Sequence, residues 1–513
     1  ANHPSFVMLT FGNELWTGEL GHHRMDLMVE LAHSVDTTRL YANGSNPHYG
    51  NIGCDAASDF YTSQKYFEHP LRGTFAGQIP GKGIEGYINN DYPSATVSYD
   101  ESMKHLRETY KKPVFSFEVG QFEVLPDFGE LEEFHGISDP VNIRLIQEKA
   151  DKLGLLDNWD AYVKATGEIS RIGYREEVEA AMRTEDMSGI SLLGLQDFPG
   201  QGTALVGMIN SHMQSKPFDF AKPERFAPFF RAQLPLVALP KYTYESGEVL
   251  EAEVRIANYG KTDMTGPIRY CLEGEGIKQC GELPAVICPA GGITSAGAIK
   301  ISLEGMTQAV RLDLTVEQDG VKNQYPVWIY PAVKSVCPDK VYETKTLDEK
   351  AMQILENGGS VYLAPDSEKE HLPSSIQAQF TSDFWSVGTF AAQEGGMGQL
   401  IDEKHPIFKN FPTEFHTNWQ WWLMASQRAV IFPHPVKAIV TEMDSYAYMR
   451  PMAQLAEFKC GGGKLLFSSM GLQNLQQYPE GRALLHAIYQ YMDSEAFAPE
   501  EEISVEEMRE LVR

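Results

Sequence analysis

The chain has no run of about 18 consecutive apolar residues, so nothing in it reads as a membrane-spanning helix. Positive charge is also scarce. Against 70 Asp and Glu there are 43 Lys and Arg, a formal net charge of −27. That balance excludes nucleic acid as a partner, because a phosphate backbone calls for a basic surface, and it works against adhesion to an anionic membrane. Cysteines number six, at 54, 271, 280, 288, 337 and 460, with no CxxC pair and no zinc spacing. Cys271, Cys280 and Cys288 crowd into one strand-rich stretch where a disulfide is feasible, although buried free thiols are the expected state. "GGGK" at 461–464 lacks the GxxxxGK[ST] spacing of a phosphate loop, which excludes nucleotide binding there. His22 and His23 have no acidic or histidine pair at metal-ligand spacing and read as a solvated helix start.

What is present falls into three patterns followed by a tail. Over 1–230, short apolar runs alternate with helical periodicity. "FVMLTFG" (6–12), "TRLYANGSN" (38–46), "KPVFSFEVG" (112–120) and "SGISLLGLQDF" (188–198) have strand length. Met25, Leu27, Met28, Leu31, Ala32 and Val35 recur at helical spacing, and a long helical region occupies about 140–183. Strands alternating with helices predict a parallel sheet buried on both faces. The stretch 50–100, rich in Gly, Pro, Asn and Tyr, must hold one more strand to continue the alternation. Over 233–331 polar and apolar residues alternate between turn signals such as "NYG" and "QDG", predicting an immunoglobulin-like β-sandwich. Over 332–495 an α/β pattern returns, with "LDEKAMQILENGG" as an amphipathic helix before the strand "SVYLAP". The acidic residues 496–513 read as a loosely packed helix or a disordered segment. "NWQWW" (418–422) clusters three of the seven tryptophans and reads as core packing.

Two carboxylates stand at the ends of apolar strand runs. Glu14 follows "FVMLTFGN" and Glu118 sits in "PVFSFEVG". At the C-terminal ends of parallel strands both would face the mouth of the sheet. Their separation amounts to three βα units of roughly 35 residues, which would set them across a barrel mouth from one another. A pair of this kind can divide the work of glycoside cleavage, one carboxyl protonating the leaving oxygen while the other attacks the anomeric carbon, provided that their surroundings hold their pKa values apart. Asn13 beside Glu14 offers an amide to a substrate hydroxyl.

"HPSFVMLTFGNEL" resembles the acid/base motif of glycoside hydrolase family 2, in the clan of (β/α)8 retaining glycosidases with Asn-Glu at the end of barrel strand four. "KPVFSFEVGQF" resembles that family's strand-seven segment, where a glutamate is the nucleophile, and "LLGLQDFPGQGTALVGMINSHMQSK" resembles its strand-eight segment. The resemblance covers about 1–230 and keeps the family's motif order. It implies an incomplete (β/α)8 (TIM) barrel of strands four to eight, Glu14 as acid/base, Glu118 as nucleophile and Asn13 as a ligand of the sugar 2-hydroxyl. It also implies a tyrosine against the nucleophile, with Tyr87, Tyr92 and Tyr99 all open. Where many clan members end strand eight with a tryptophan, this chain has Leu195, Gln196 and Asp197. The aromatic platform is therefore expected from Trp16 or Phe198, with Asn46, Gln196 and Asp197 as further substrate contacts.

The expected activity is that of a retaining exo-β-glycosidase (β-galactosidase-, β-glucuronidase- or β-mannosidase-like) acting on an oligosaccharide or glycoside without metal or organic cofactor. Strands one to three of such a barrel precede the first motif, so the chain is expected to be the C-terminal part of a longer enzyme with open edges at strands four and eight. The alternative is a non-catalytic carbohydrate-binding or scaffold protein with a degenerate barrel. The 332–495 region resembles flavodoxin-like or glutamine-amidotransferase-like folds. It reads as non-catalytic because Cys460 precedes its strand instead of sitting on a strand-to-helix elbow. The resemblance points to a periplasmic or secreted bacterial enzyme; sugar, linkage and homo-oligomerisation stay open.

Overall fold

The computed structural model describes residues 3–15, 18–46 and 53–513. In the first part, strands β1 (Met8–Thr10) and β2 (Leu40–Ala42) pair in parallel, joined by helix α1 (Glu19–Val35). Strands β3 (Tyr61–Ser63), β4 (Val114–Gly120) and β5 (Gly189–Leu193) form a second parallel sheet in chain order. Before β4 runs α2 (Asp100–Arg107), and between β4 and β5 run α3 (Val141–Lys152) and α4 (Trp159–Arg183). The Gly- and Tyr-rich stretch contributes β3, and the Asn46 N–H donates to the Thr62 carbonyl at 3.0 Å, stitching the end of β2 to β3. The five parallel strands thus stand as two separate sheets, and among the described residues no closed barrel forms. His22 is not solvated: it is buried in α1 with Nδ1 3.1 Å from Asp55 Oδ2, because the face carrying Met25 and Val29 turns it inward.

The second part packs two sheets face to face, antiparallel throughout except that Thr243–Glu245 pairs in parallel with Val321–Tyr330. One holds β6 (Gln233–Ala238), β8 (Val249–Asn258) and β11 (Gly292–Ser302), in that order. The other runs β7 (Thr243–Glu245), β13 (Val321–Tyr330), β12 (Val310–Gln318), β9 (Ile268–Gly274) and β10 (Ile277–Leu283). Along β12 the inward residues Val310, Leu312, Leu314 and Val316 alternate with half-exposed ones, the period-two pattern of a sheet with one face in the core. Cys271 and Cys280 lie opposite one another on β9 and β10 and form a disulfide, whereas Cys288 stays a buried thiol.

The third part is built on one mixed sheet. Its order is β14 (Val341–Thr344), β15 (Ser360–Leu363), β21 (Gly463–Ser468), β20 (Met452–Cys460), β18 (Arg428–Ile431) and β16 (Ser375–Gln377). A hairpin-like pair, β17 (Gly396–Ile401) and β19 (Val440–Asp444), attaches through β20. Only β14, β15 and β21 run parallel, so the sheet departs from the all-parallel flavodoxin type. The acidic tail is docked: α7 (Val505–Leu511), which follows α5 (Glu349–Glu356) and α6 (Pro479–Asp493), starts in a Ser504/Glu507 capping box. It buries Met508, Leu511 and Val512 at helical spacing. Trp419 and Trp421 are core residues, while the Trp422 indole donates to the Ile88 carbonyl at 2.7 Å and so ties the third part to the first.

Helix α4 joins the parts from within. Its Glu179 carboxylate is buried and accepts from Arg175 Nε at 2.9 Å on its own helix. From the sandwich it accepts from the Tyr325 hydroxyl at 2.7 Å and Asn323 Nδ2 at 3.1 Å. Burial works to raise the pKa of Glu179, but Arg175 and Arg183 outweigh it and hold the carboxyl below the usual range. Glu179→Ala is therefore expected to cost about 3–5 kcal/mol, the loss typical of a buried ion pair robbed of one partner. Tyr325→Phe should cost about 1.5–3 kcal/mol, for one hydrogen bond to a charged group. Urea midpoints of the two variants against wild type check both values.

Candidate active site

Strand ends carry the two glutamates. Gly12 and Asn13 leave β1 beside Ser45: the Ser45 N–H donates to the Gly12 carbonyl at 2.9 Å, and Ser45 Oγ donates to Asn13 Oδ1 at 2.6 Å. The next residue, Glu14, has φ +52° and is exposed at the mouth. Glu118 lies in β4 where the register against β5 shifts between Phe117 and Val119, and it has φ +56°. A bulge re-aims the side chain it carries. Left-handed backbone on a glutamate is unfavourable, and such geometry concentrates at working sites. Both residues, three strand steps apart, line one cavity of about 840 Å³, within the range of about 300–1,000 Å³ usual for small-molecule sites.

Glu118 is 7% exposed, and its carboxylate is held by donors from the loop after β3. Gln64 Nε2 donates to Oε2, and Arg72 Nη1 lies 3.8 Å from the same oxygen while donating to the Glu118 carbonyl at 2.7 Å. The Arg72 guanidinium is itself buried, 5.2 Å from the centres of both the Phe75 and Phe384 rings. Tyr87, Tyr92 and Tyr99 do not line the cavity. The Tyr87 and Tyr92 hydroxyls donate to Glu176 and Glu480, and that of Tyr99 is buried elsewhere. The residues that position the acid are thus Gln64 and Arg72, which lie in an aperiodic stretch where the sequence offered no pattern to find them.

Of the other sequence-predicted contacts, Asn13, Gln196 and Phe198 line the cavity. Gln196 also donates to the Ser211 carbonyl at 2.9 Å. Asn46 is fully buried behind the mouth, its Oδ1 accepting from the Gln64 N–H at 2.9 Å, so it supports the residue that holds Glu118. Asp197 faces away: its carboxylate lies 2.8 Å from the buried Lys216 ammonium and accepts from the Gly207 N–H at 2.7 Å, an ion pair of the interior. Trp16 lies outside the described residues. Sequence reasoning missed one wall altogether. Phe384, Trp385, Thr389 and Phe390 reach the cavity from the third part, and their only sequence signal is the aromatic-rich, aperiodic "SDFWSVGTF".

A second cavity of about 560 Å³ lies where α4 meets the sandwich and the third part. Much of its charge is paired within the lining, with Arg171 and Arg225 on Glu168 at 2.7 and 3.0 Å and Arg311 on Glu414 at 2.9 Å. Among the described residues no three metal-ligating side chains come together, and no helix is long and apolar enough to cross a membrane.

Residues 342–513 match the family described as "Domain of unknown function (DUF8487)" and residues 248–331 the one described as "Domain of unknown function (DUF8488)". No curated protein matches the chain in sequence. Solved structures with partial similarity include the Amycolatopsis orientalis exo-chitosanase CsxA, 12% identical over 64% of this chain and 36% of that one, TM-score 0.37. Bacteroides uniformis beta-glucuronidase 3 is 14% identical over 66% and 38%, TM-score 0.28. The Pseudomonas fluorescens alkylpurine DNA glycosylase AlkC is 13% identical over 19% and 30%, TM-score 0.17. The chain spans little more than a third of the length of the first two.

The segment bearing the third-part wall is pinned to the end of β4. Phe122 and Phe384 form an antiparallel bridge, the Glu123 N–H donates to the Asp383 carbonyl at 2.9 Å, and the Trp385 N–H donates to the Gln121 carbonyl at 2.8 Å. The Glu123 and Asp383 side chains are buried at this seam. Oδ2 of Asp383 has no hydrogen-bond partner, and the Tyr446 hydroxyl is the polar side-chain group that the Glu123 carboxylate meets. Burial first, and the neighbouring Asp383 second, push the Glu123 pKa well above the usual carboxylate range; burial, then Asp444, does the same for Asp383. Raised folded-state values mean that these groups' contribution to stability is complete below about pH 4, the unfolded carboxylate pKa, and is lost as pH rises toward their folded values. The variants Glu123→Gln and Asp383→Asn remove that dependence. Their Tm advantage over wild type is expected to grow from pH 5 to pH 8, as thermal melts across that window would show; curves parallel to wild type would contradict it.

Proposed function

We propose that this chain carries the catalytic residues of a retaining exo-β-glycosidase. The observation that carries the proposal is the pair of glutamates, each in left-handed backbone at the C-terminal end of a parallel strand, opening on one cavity. Glu118, oriented by Gln64 and Arg72, attacks the anomeric carbon and forms a glycosyl-enzyme. Glu14, exposed at the mouth where proton exchange with water is easy, protonates the leaving oxygen and then deprotonates the water that releases the sugar. The amide of Asn13, its oxygen occupied by Ser45, has N–H groups to offer a sugar hydroxyl. The Cys271–Cys280 disulfide supports placing the protein in an oxidising compartment, periplasmic or extracellular.

One observation favours a second reading, a carbohydrate-binding protein without turnover: among the described residues the parallel strands do not close a barrel around the cavity. The two readings separate in the full native polypeptide. Glu118→Gln is expected to abolish hydrolysis of aryl β-glycosides, and a 2-deoxy-2-fluoro-β-glycoside to label Glu118. Glu14→Gln should lower kcat by roughly 10²–10⁴, the usual worth of a positioned acid/base. Product released with inverted configuration, or label on another carboxylate, would overturn the assignment. Sugar binding without any turnover in wild type would select the second reading.

A further inference from the structure

We infer that the third part is a working wall of this cavity, and that Trp385 binds the substrate there, its ring lying along the apolar face of a saccharide ring and its indole N–H donating to a hydroxyl. The inference rests on the glycosidase reading for its substrate class and goes beyond it in assigning a substrate contact to a part of the chain more than 260 residues from Glu118 in sequence.

Trp385 has three features that the packing of a domain interface does not call for together. Its φ is +61°, a conformation that a bulky residue adopts only when its surroundings impose it. Its indole nitrogen is buried without a hydrogen-bond partner, although a buried tryptophan N–H ordinarily finds one. Its ring nevertheless lines the cavity, 6.0 Å from the Phe198 ring at 43°. Strain and an unmatched donor on one cavity-lining residue fit a contact that a ligand oxygen completes.

The backbone around Trp385 is held on every side, so the conformation is built in. Thr381 and Asn89 exchange hydrogen bonds at 2.9 and 3.0 Å. The Gln393 side chain both accepts from the Phe384 N–H at 2.7 Å and donates to the Phe384 carbonyl at 2.9 Å. The Trp385 N–H donates to the Gln121 carbonyl, while Gln121 Nε2 donates to the Glu118 carbonyl at 3.1 Å. One residue thus sets the position of Trp385 relative to the proposed nucleophile. The chemistry of the lining identifies the ligand class. Phe198, Phe384 and Trp385 supply apolar faces, Asn13, Gln196 and the two glutamates supply hydrogen-bonding edges, and the cations Lys65 and Arg72 are already paired with Glu85 and Glu118. A pyranose has that same division between a C–H face and a hydroxyl rim, and a free phosphate or a purely apolar ligand does not.

The test uses the full native polypeptide, a panel of p-nitrophenyl β-glycosides for turnover, and the matching free sugars for calorimetry and tryptophan fluorescence. Trp385→Phe keeps the ring and removes the N–H; Trp385→Ala removes both. For the glycoside that wild type cleaves best, Trp385→Ala is expected to raise KM and the sugar Kd about tenfold or more. Trp385→Phe should raise them by about threefold to tenfold, the scale of one lost hydrogen bond, with kcat retained. Sugar-induced fluorescence change should disappear in Trp385→Phe, and an unaltered wild-type-like melt of that variant shows that packing is intact. Wild-type turnover with KM, Kd and the fluorescence signal unmoved in Trp385→Phe would overturn the inference and leave the glycosidase reading standing. Sugar binding that weakens in Trp385→Phe, in a protein that cleaves none of the panel, would uphold the contact and overturn the catalytic reading. A wild-type protein that neither binds nor cleaves any sugar would overturn both.

Discussion

The buried carboxylate of Glu177, in the last third of the 25-residue helix α4, accepts hydrogen bonds from the Gly73 N–H at 2.9 Å, Thr74 Oγ1 at 2.8 Å and the Gly120 N–H at 2.7 Å. Gly73 and Thr74 follow Arg72, and Gly120 ends the strand that holds Glu118. One side chain therefore fixes the guanidinium and the carboxylate that meet in the cavity. The glycines are part of the device. A Cβ at Gly120, where φ is +106°, would stand 2.1 Å from the Tyr174 ring, and one at Gly73 would press at 3.0 Å on Glu177 itself. Burial raises the pKa of Glu177, against the pull of Arg72 and of its three donors. A charge placed so deep is tolerable only where donors surround it.

The same helix distributes successive acids to different neighbours. Glu176 meets Arg183 and the Tyr87 hydroxyl, Glu177 the strand ends, and Glu179 the sandwich through Tyr325 and Asn323. Two turns earlier, Ile169 packs so closely against Gly398 of the third part that a Cβ there would lie 2.2 Å away. A helix buried nearly all round along its second half serves as a shared core element instead of as the outer shell that a barrel helix forms, which is why one hydrophobic cluster runs through all three parts.

In the sequence, β1 and β4 were visible because both are apolar runs of strand length, and Glu14 and Glu118 because a carboxylate interrupts each run at its end. Asn13, Gln196 and Phe198 could be placed in the same cavity by proximity to those motifs. Gln64 and Arg72 could not, since their loop has neither helical nor strand period. Asp197 misled for a plain reason: next to Gln196 it reads as a second polar contact, but the buried Lys216 that claims it is distant in sequence. The docked tail shows the converse. Its acidic composition suggested a loosely packed helix or a disordered segment; the helix forms, and Met508, Leu511 and Val512 at helical spacing carried the information that decided its docked position. Pattern reports what a segment buries, and it is silent about which distant segment does the covering.

The segment 381–393 bears on how such a protein can be divided. The sequence families recognised in the chain, at 248–331 and 342–513, mark units that could be inherited and recombined separately. The wall of aromatics crosses that boundary, because Phe384 and Trp385 reach the cavity only while Gln121 and Phe122 hold their backbone. A gene fusion that shuffled the third part onto a different partner would carry its sheet along intact and leave these aromatics without a counterpart. Modules of ancestry and modules of chemistry do not share a border here.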